Sequence, residues 1–406
     1  MWSIKVKKMS RYAIFVKNYS IDNSQPWLTD DLATELHERG NDISVFFFDL
    51  KGTSKKGHYK RDENFNIYVY PLKKVSNSKG ISKKVYLLIG FLGMYAYFIP
   101  KLLKQRFDAV ISFSMFSIFF GLNKILRLRA RNNIKSTAIL WDFYPVHMIE
   151  VGKINNPFLA KLLYKLENYE FKHFDEICCM TNKSVEFFDK YHPNLSNKPK
   201  KVIYLWRKFS KRKPNLIDSK HIRFNTKKSY VTFGGQLSKG RGLEFLIDVA
   251  LKHQKDLPNV EFIVIGEGEL RPLLEETIKK EKLSNFHLVG RVQREEYLTI
   301  LSKSQIGLVI TQGDVSIPSF PSKTIDYMLM KLPIIACVES TTDYGDIIEN
   351  QIGCGLSSNT DDKIAFVNNI NILLKNKDLR KEMGNKGFSF LHENMSVSHV
   401  VDTILK

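Results

Sequence analysis

The sequence predicts an α/β protein built from two parallel sheets, each wrapped by helices. Short β-rich apolar runs alternate with helix-spaced segments along the whole chain. At 406 residues the chain is too long for one ordinary core. A basic, proline-containing stretch, Arg207–Asn215, separates the two alternating halves and reads as a linker.

In the first half, Tyr12–Val16, Ile43–Phe48, Ala109–Ser112, Thr137–Trp141, Glu176–Cys179 and Val202–Tyr204 are the strand-like runs. Pro26 to Arg39 has helical spacing and ends at Gly40, a good helix stop. In the second half the predicted strands are Tyr230–Phe233, Phe262–Ile265, His287–Val289, Ile306–Ile310 and Ile334–Ala336. Helices are predicted over Leu243–Lys252, Leu270–Lys280 and Glu295–Ser302. Consecutive strand–loop–helix units put their loops along one sheet edge, the carboxyl edge, where open parallel sheets bind ligands. The tail Leu374–Lys406 reads as helices broken near Gly384 and Gly387.

The formal net charge is +20, and it is unevenly placed. Residues 1–210 hold 35 Lys+Arg against 18 Asp+Glu, or +17; the remainder holds 27 against 24, or +3. Such asymmetry points to an anionic partner for the first half, or to a lysine-rich composition with no partner at all. Cys178, Cys179, Cys337 and Cys354 lack metal-ligand spacing and read as reduced core residues, which excludes a disulfide framework. The start is short and basic with no apolar core of secretory type, and Met9 is a plausible initiator. Val85 to Ile99 is uncharged and mostly apolar, short of the ~20 residues a membrane span needs, and stops at Pro100. It reads as a buried helix or as a membrane-facing one flanked by snorkelling lysines.

The most informative motif is Pro321-Ser322-Lys323-Thr324-Ile325-Asp326-Tyr327-Met328, placed between two buried strands. A helix start there turns unpaired N–H groups toward whatever lies above the sheet. Ser322 can cap, Lys323 adds a positive charge, and Asp326 one turn on can accept from hydroxyls; phosphate plus ribose fits that set. The second element is Gly234-Gly235-Gln236-Leu237-Ser238-Lys239-Gly240-Arg241-Gly242. Its glycines permit close backbone approach, and Lys239 and Arg241 bring charge to where a diphosphate would lie. It is neither a Walker loop nor a Gly-x-Gly-x-x-Gly dinucleotide loop.

In order and spacing these pieces resemble the donor domain of a GT-B glycosyltransferase of the retaining family 4. Gly235-Gln236-Leu237 with Arg241-Gly242, Gly266-Glu267-Gly268, Gly290-Arg291, and Leu332 to Ala336 carry the likeness, well over residues 228–350 and loosely before them. The resemblance implies two Rossmann-like domains facing a cleft, with a C-terminal helix returning to the first. The boundaries it suggests are 9–206 for an acceptor domain, 207–227 for a linker, 228–385 for the donor domain and 386–406 for the returning helix.

It also assigns roles. Arg241 holds the donor diphosphate; Gly235, Gln236 and Gly266 line the nucleotide loops; Gly290 and Arg291 meet the nucleobase. Ser322, Lys323 and Thr324 meet the distal phosphates through backbone N–H groups, and Asp326 takes the ribose hydroxyls. Two positions depart from the family pattern. The first acid of Glu-x7-Glu falls on Pro318, and Gln236 stands where an arginine is common. The Pro-Ser-Lys form resembles a branch found in bacterial capsule and O-antigen clusters.

In the first half, Trp141-Asp142-Phe143-Tyr144-Pro145 ends a strand. Related enzymes carry His-Asp there, so Asp142 is the polar group expected near the reacting sugar, unless it is a helix N-cap. His147 is a second candidate. Glu170 and Asp175 read as solvated, and the loop Tyr19–Trp27 lies where the fold places acceptor contacts.

The expected reaction is therefore sugar transfer with retention from a nucleoside-diphosphate sugar. The acceptor would be a saccharide, free or carried on a polyprenyl diphosphate, at the inner face of a membrane and in surface-polysaccharide synthesis. Catalysis would rest on Asp142, Arg241 and Lys323, since cations aimed at the developing diphosphate charge supply the largest effect. No Asp-x-Asp ends a strand, so neither a metal nor another cofactor is expected. A sugar-nucleotide epimerase of the same architecture would show extra acids in the cleft. A nonenzymatic membrane or nucleic-acid module would interleave aromatics with basic residues on an exposed sheet; here the basic residues fall in helices and loops, which disfavours nucleic acid.

Overall fold

The computed structural model describes residues 9–24, 26–72, 81–114, 116–209, 216–311 and 316–406. The proposed initiator context before Met9, most of the predicted linker (210–215) and part of the loop before Pro321 (312–315) lie outside them. The chain divides into two units, Met1–Ile203 with Val397–Lys406, and Tyr204–Ser396.

The first unit holds an eight-stranded sheet. Its strands are β1 (Arg11–Val16), β2 (Asp42–Asp49), β3 (Gly57–Asp62), β4 (Phe65–Pro71), β5 (Ala109–Phe113), β6 (Lys135–Ile139), β7 (Glu176–Cys179) and β8 (Lys200–Val202). Their spatial order is β3-β4-β2-β1-β5-β6-β7-β8. All neighbours are parallel except β3, which pairs antiparallel with β4. The β3–β4 hairpin is absent from the sequence expectation: its β3 alternates half-buried and exposed residues, so it lacks the apolar run that marks the central strands. Those central strands are buried on both faces, hence their continuous apolar character. Phe15, Phe46, Phe48, Met94, Phe98 and Leu102 form one aromatic-rich core.

Three expectations are corrected here. The apolar segment does not stop at Pro100: helix Ile81–Lys104 runs through it. Nor is that helix a buried one. Met94, Phe98 and Leu102 face the core, but Leu88, Ile89 and Leu92 are about 60 % exposed. Its stretch Val85–Lys104 is long and apolar enough to cross a membrane by length and composition. The tail breaks at Met395–Ser396, between helices Lys377–Asn394 and Val397–Leu405. Gly384 and Gly387 instead sit inside the first of these, where a Cβ on Gly384 would lie 2.1 Å from the Lys331 carbonyl.

The terminal helix does return to the first unit. Val397, Val400, Val401 and Ile404 are buried, Arg39 bonds Asp402 and Ser398, and Lys135 Nζ donates to the Ile404 carbonyl at 2.8 Å. The first unit comprises Met1–Ile203 and Val397–Lys406.

The second unit holds β9 (Ser229–Gly234), β10 (Val260–Ile265), β11 (Phe286–Val289), β12 (Ile306–Ile310), β13 (Ile334–Val338) and β14 (Gly355–Asn359). The order is β11-β10-β9-β12-β13-β14, and every pair is parallel. Only β14 escapes the sequence reading; its GLSSN is too polar to register as a strand. The four cysteines are free and buried, as expected.

Candidate functional site

In the second unit the loops leaving β9 and β10 are packed backbone against backbone. Gly235 N–H donates to Ile265 O (2.9 Å), Leu237 N–H to Glu267 O (2.9 Å), and Leu270 N–H to Leu237 O (3.0 Å). A Cβ on Gly266 would stand 1.8 Å from the Gly235 carbonyl oxygen, and one on Gly268 2.1 Å from that of Leu237. Gly266 is a glycine because its neighbour loop needs the space, not because a ligand must approach it. Gly242 opens helix Leu243–Lys252 at φ +64°, with Ile310 Cγ2 2.0 Å from where a Cβ would be. The loop between them, including Gln236 and Arg241, is exposed.

Lys323 opens the seven-residue helix Lys323–Leu329 and reaches back across the sheet edge. Its ammonium lies 3.4 Å from the centroid of the Phe233 ring and would touch a Cβ on Gly235 at 3.4 Å. No carboxylate pairs with Lys323 or Arg241 among the described residues. Burial first, and the Arg241 charge second, push the Lys323 pKa well below the ordinary lysine value. The edge thus brings two basic side chains, neither paired with a carboxylate among the described residues, beside a glycine loop. Ser322 is exposed and does not cap: its backbone is already helical and its side chain makes no capping bond. Thr324 is not free for a ligand. Its N–H donates to Pro321 O (3.1 Å), and its buried hydroxyl bonds Tyr344 Oη (2.6 Å).

Asp326 is also differently placed from the expectation of a waiting acid. Arg294 forks onto it, with Nη1 at 2.7 Å from Oδ2 and Nη2 on Oδ1. Arg207 Nη1 reaches Oδ1 at 3.2 Å. Arg294 opens helix Arg294–Lys303 after β11, and Asp326 lies in the first turn of the helix after β12, so the pair sits at the carboxyl edge. Neither arginine was singled out from sequence. Arg294 carried a signal, a cation at the start of a helix from the same edge; Arg207 carried none. Tyr327, next in line, is fully buried and knits the edge: Gly234 N–H donates to its hydroxyl (3.1 Å), which faces Leu308 O (3.0 Å) and Thr232 O (3.2 Å). Gly307 must be a glycine because a Cβ would lie 2.5 Å from this ring. Gly290 is half-buried against Glu267, and Arg291 is exposed.

In the first unit Asp142 follows β6 and is exposed. The Ser114 hydroxyl accepts from the N–H groups of Trp141 (2.7 Å) and Asp142 (3.1 Å), fixing this corner of the carboxyl edge. Asp142 is not a helix cap; Pro145 occupies that position, without a capping bond. Burial lowers the Lys17 pKa, while the charges of Asp142 and Glu167 oppose that shift. His147 is half-buried on the short helix Val146–Glu150. Glu170 is not solvated, whereas Asp175 is partly exposed but also paired. Glu170 is buried, accepts from Gly121 N–H at 2.7 Å, and burial pushes its carboxyl up to about 7. Asp175 receives Arg127 (2.6 Å) and the Ser136 N–H (2.8 Å), joining two elements of the fold.

Residues 215–390 match the family described as glycosyl transferases group 1. An uncharacterized glycosyltransferase of Methanocaldococcus jannaschii, MJ1059, is 26 % identical over 219 residues, 53 % of this chain and 50 % of that protein. The chain spans about half the length of the curated relatives it matches. Among solved structures, sucrose-phosphate synthase from Thermosynechococcus elongatus superposes with a TM-score of 0.72 at 12 % identity, covering 98 % of both chains. The Anabaena protein Alr3699/HepE, in complex with UDP and glucose, superposes with a TM-score of 0.63 at 12 % identity, covering 98 % of this chain and 99 % of that one. With two Rossmann-like units the chain has the GT-B fold, and within it residues 215–390 match the group 1 glycosyl transferases.

Proposed function

We propose that the protein is a retaining glycosyltransferase of family 4 type that takes its sugar from a nucleoside diphosphate. The observation that carries this reading is Lys323: a half-buried amine packed on the Phe233 ring beside the glycine loop, near Arg241 and paired with no carboxylate among the described residues. Holding such a charge is unfavourable unless an anion arrives. A diphosphate lying along the glycine loop would pair with both cations and with the N–H groups at Ser322 and Lys323. Asp326 would then take the ribose and Gly290-Arg291 the base. As the anomeric carbon–oxygen bond to phosphate breaks, the leaving diphosphate gains charge, and the preplaced cations lower its energy. The acceptor hydroxyl oxygen bonds the anomeric carbon, and its proton passes to a phosphate oxygen. Asp142 is assigned to the acceptor side, where a carboxylate would orient hydroxyls or steady positive charge on the sugar.

The acceptor is read as a saccharide, free or on a polyprenyl diphosphate, in bacterial surface-polysaccharide synthesis at the inner face of the membrane. Support comes from the Pro-Ser-Lys form, the basic first half and the outward apolar stripe of helix Ile81–Lys104, which contains no acid. A helix apolar on two faces suits a protein core on one side and a lipid surface on the other. The test is a screen of nucleoside-diphosphate sugars for thermal stabilisation and for acceptor-dependent release of the nucleoside diphosphate. One such sugar should raise Tm and turn over. If none does either, the proposal fails.

A further inference from the structure

Asp326 has its acceptor capacity almost used up inside the protein. A carboxylate offers about four lone-pair positions. The Arg294 fork takes one on each oxygen, and Arg207 takes a second on Oδ1. One position remains, on Oδ2. The Asp326 side chain keeps 15 % of its surface exposed at the carboxyl edge. The fork also fixes the plane of the carboxylate, because a bidentate guanidinium admits one orientation.

From this we infer that Asp326 accepts one ribose hydroxyl and not the vicinal pair, and that Arg294 is the positioning residue that enforces this choice. The inference rests on the donor-site reading above and sharpens it. A free carboxylate facing a 2′,3′-diol can accept from both hydroxyls, one on each oxygen. Here Oδ1 is filled by two arginines, and the single open position on Oδ2 serves one hydroxyl. Arg207 adds a structural consequence. Its N–H donates to Met395 O (2.9 Å) and it bridges to Ser396, so the carboxylate is also anchored to the strap formed by residues 207 and 395–396.

The experiment uses the full-length protein and calorimetric titration with ADP, GDP, CDP and UDP, which identifies the preferred base. The 2′-deoxy and 3′-deoxy forms of that diphosphate are then compared. One of them should bind about tenfold more weakly or worse, as loss of a hydrogen bond to a charged group predicts. The other should stay within about threefold of the parent. In Arg294→Lys the single ammonium takes one oxygen in place of two, and the tolerated deoxy form should become a poor ligand as well. A residue that merely held the fold would shift all three affinities together and leave their ratios alone. Equal losses for both deoxy forms, or no loss for either, would overturn the inference while leaving the donor site standing. Failure of all four diphosphates to bind would overturn the donor reading and this inference with it.

Discussion

Replacing Lys323 with Met removes the charge and keeps most of the side-chain volume. In the free protein the change should cost little. The amine forms no ion pair among the described residues, it is partly desolvated, and it is repelled by Arg241, so its loss relieves two unfavourable effects. Against that stands the contact with Phe233 at 3.4 Å, worth up to about 2 kcal/mol in a desolvated setting. These effects oppose one another, and the free protein should unfold within about 1 kcal/mol of wild type. Donor binding is another matter. A hydrogen bond between a charged lysine and phosphate contributes about 1.5–3 kcal/mol, so Kd for the diphosphate should rise roughly 10- to 150-fold. The pH dependence adds a second signature. An anion favours the ammonium, so affinity is full below the depressed pKa of the free protein. It then falls as pH climbs above that value, with a proton taken up on binding. In Lys323→Met that alkaline limb should vanish. Titration calorimetry in two buffers of different ionisation enthalpy reads both quantities. Unchanged affinity together with an unchanged pH profile would refute the placement of the diphosphate at Lys323.

Three other outcomes are expected. Gly266→Ala should destabilise the second unit by about 3 kcal/mol or more, because φ +152° strains any side chain and the Cβ meets the Gly235 carbonyl oxygen; a urea midpoint equal to wild type would contradict the loop packing. Tyr327→Phe should cost about 2–4 kcal/mol, the sum of an orphaned Gly234 N–H and a lost O–H bond. Hydrogen exchange at the Gly234 amide is the direct readout, and undiminished protection would count against it. The protein should sediment with anionic vesicles and be released by salt, and Leu88→Asp with Leu92→Asp should weaken that binding; indifference to lipid charge and to both substitutions would reject the lipid-facing reading of the helix.

Most of the parallel strands are legible because burial on both faces leaves an apolar run, as in Ile306–Ile310 and Ile334–Val338, although the parallel β4 is not among those predicted. Strands exposed on one side, β3, and the polar edge strand, β14, leave no such run and were missed. The helix Ile81–Lys104 shows the opposite limit. Its apolar composition is visible in sequence, but composition does not say which apolar face the protein itself covers. Pro100 failed as a stop because proline removes a single helix hydrogen bond, and packing of Phe98 and Leu102 on either side outweighs that loss.

The site divides along the same line. Sequence order places Gly235, Gly266, Gly290 and Lys323 on one edge because topology sends every loop of a parallel sheet to the same end. What it cannot supply is the pairing of charges across that edge, because partners lie far apart in the chain. Asp326 is 32 residues from Arg294 and 119 from Arg207. The difference matters for chemistry, since the two acceptably placed charges at this edge end up in contrasting states. Lys323 has no carboxylate partner among the described residues, and an arriving anion would favour its charged form. Asp326 is nearly saturated by its own protein, so it can discriminate among hydroxyls but has little acceptor capacity left for a proton transfer. On the proposed donor reading, attraction would come from the two basic side chains that pair with no carboxylate among the described residues, and selectivity from the acid that is already paired.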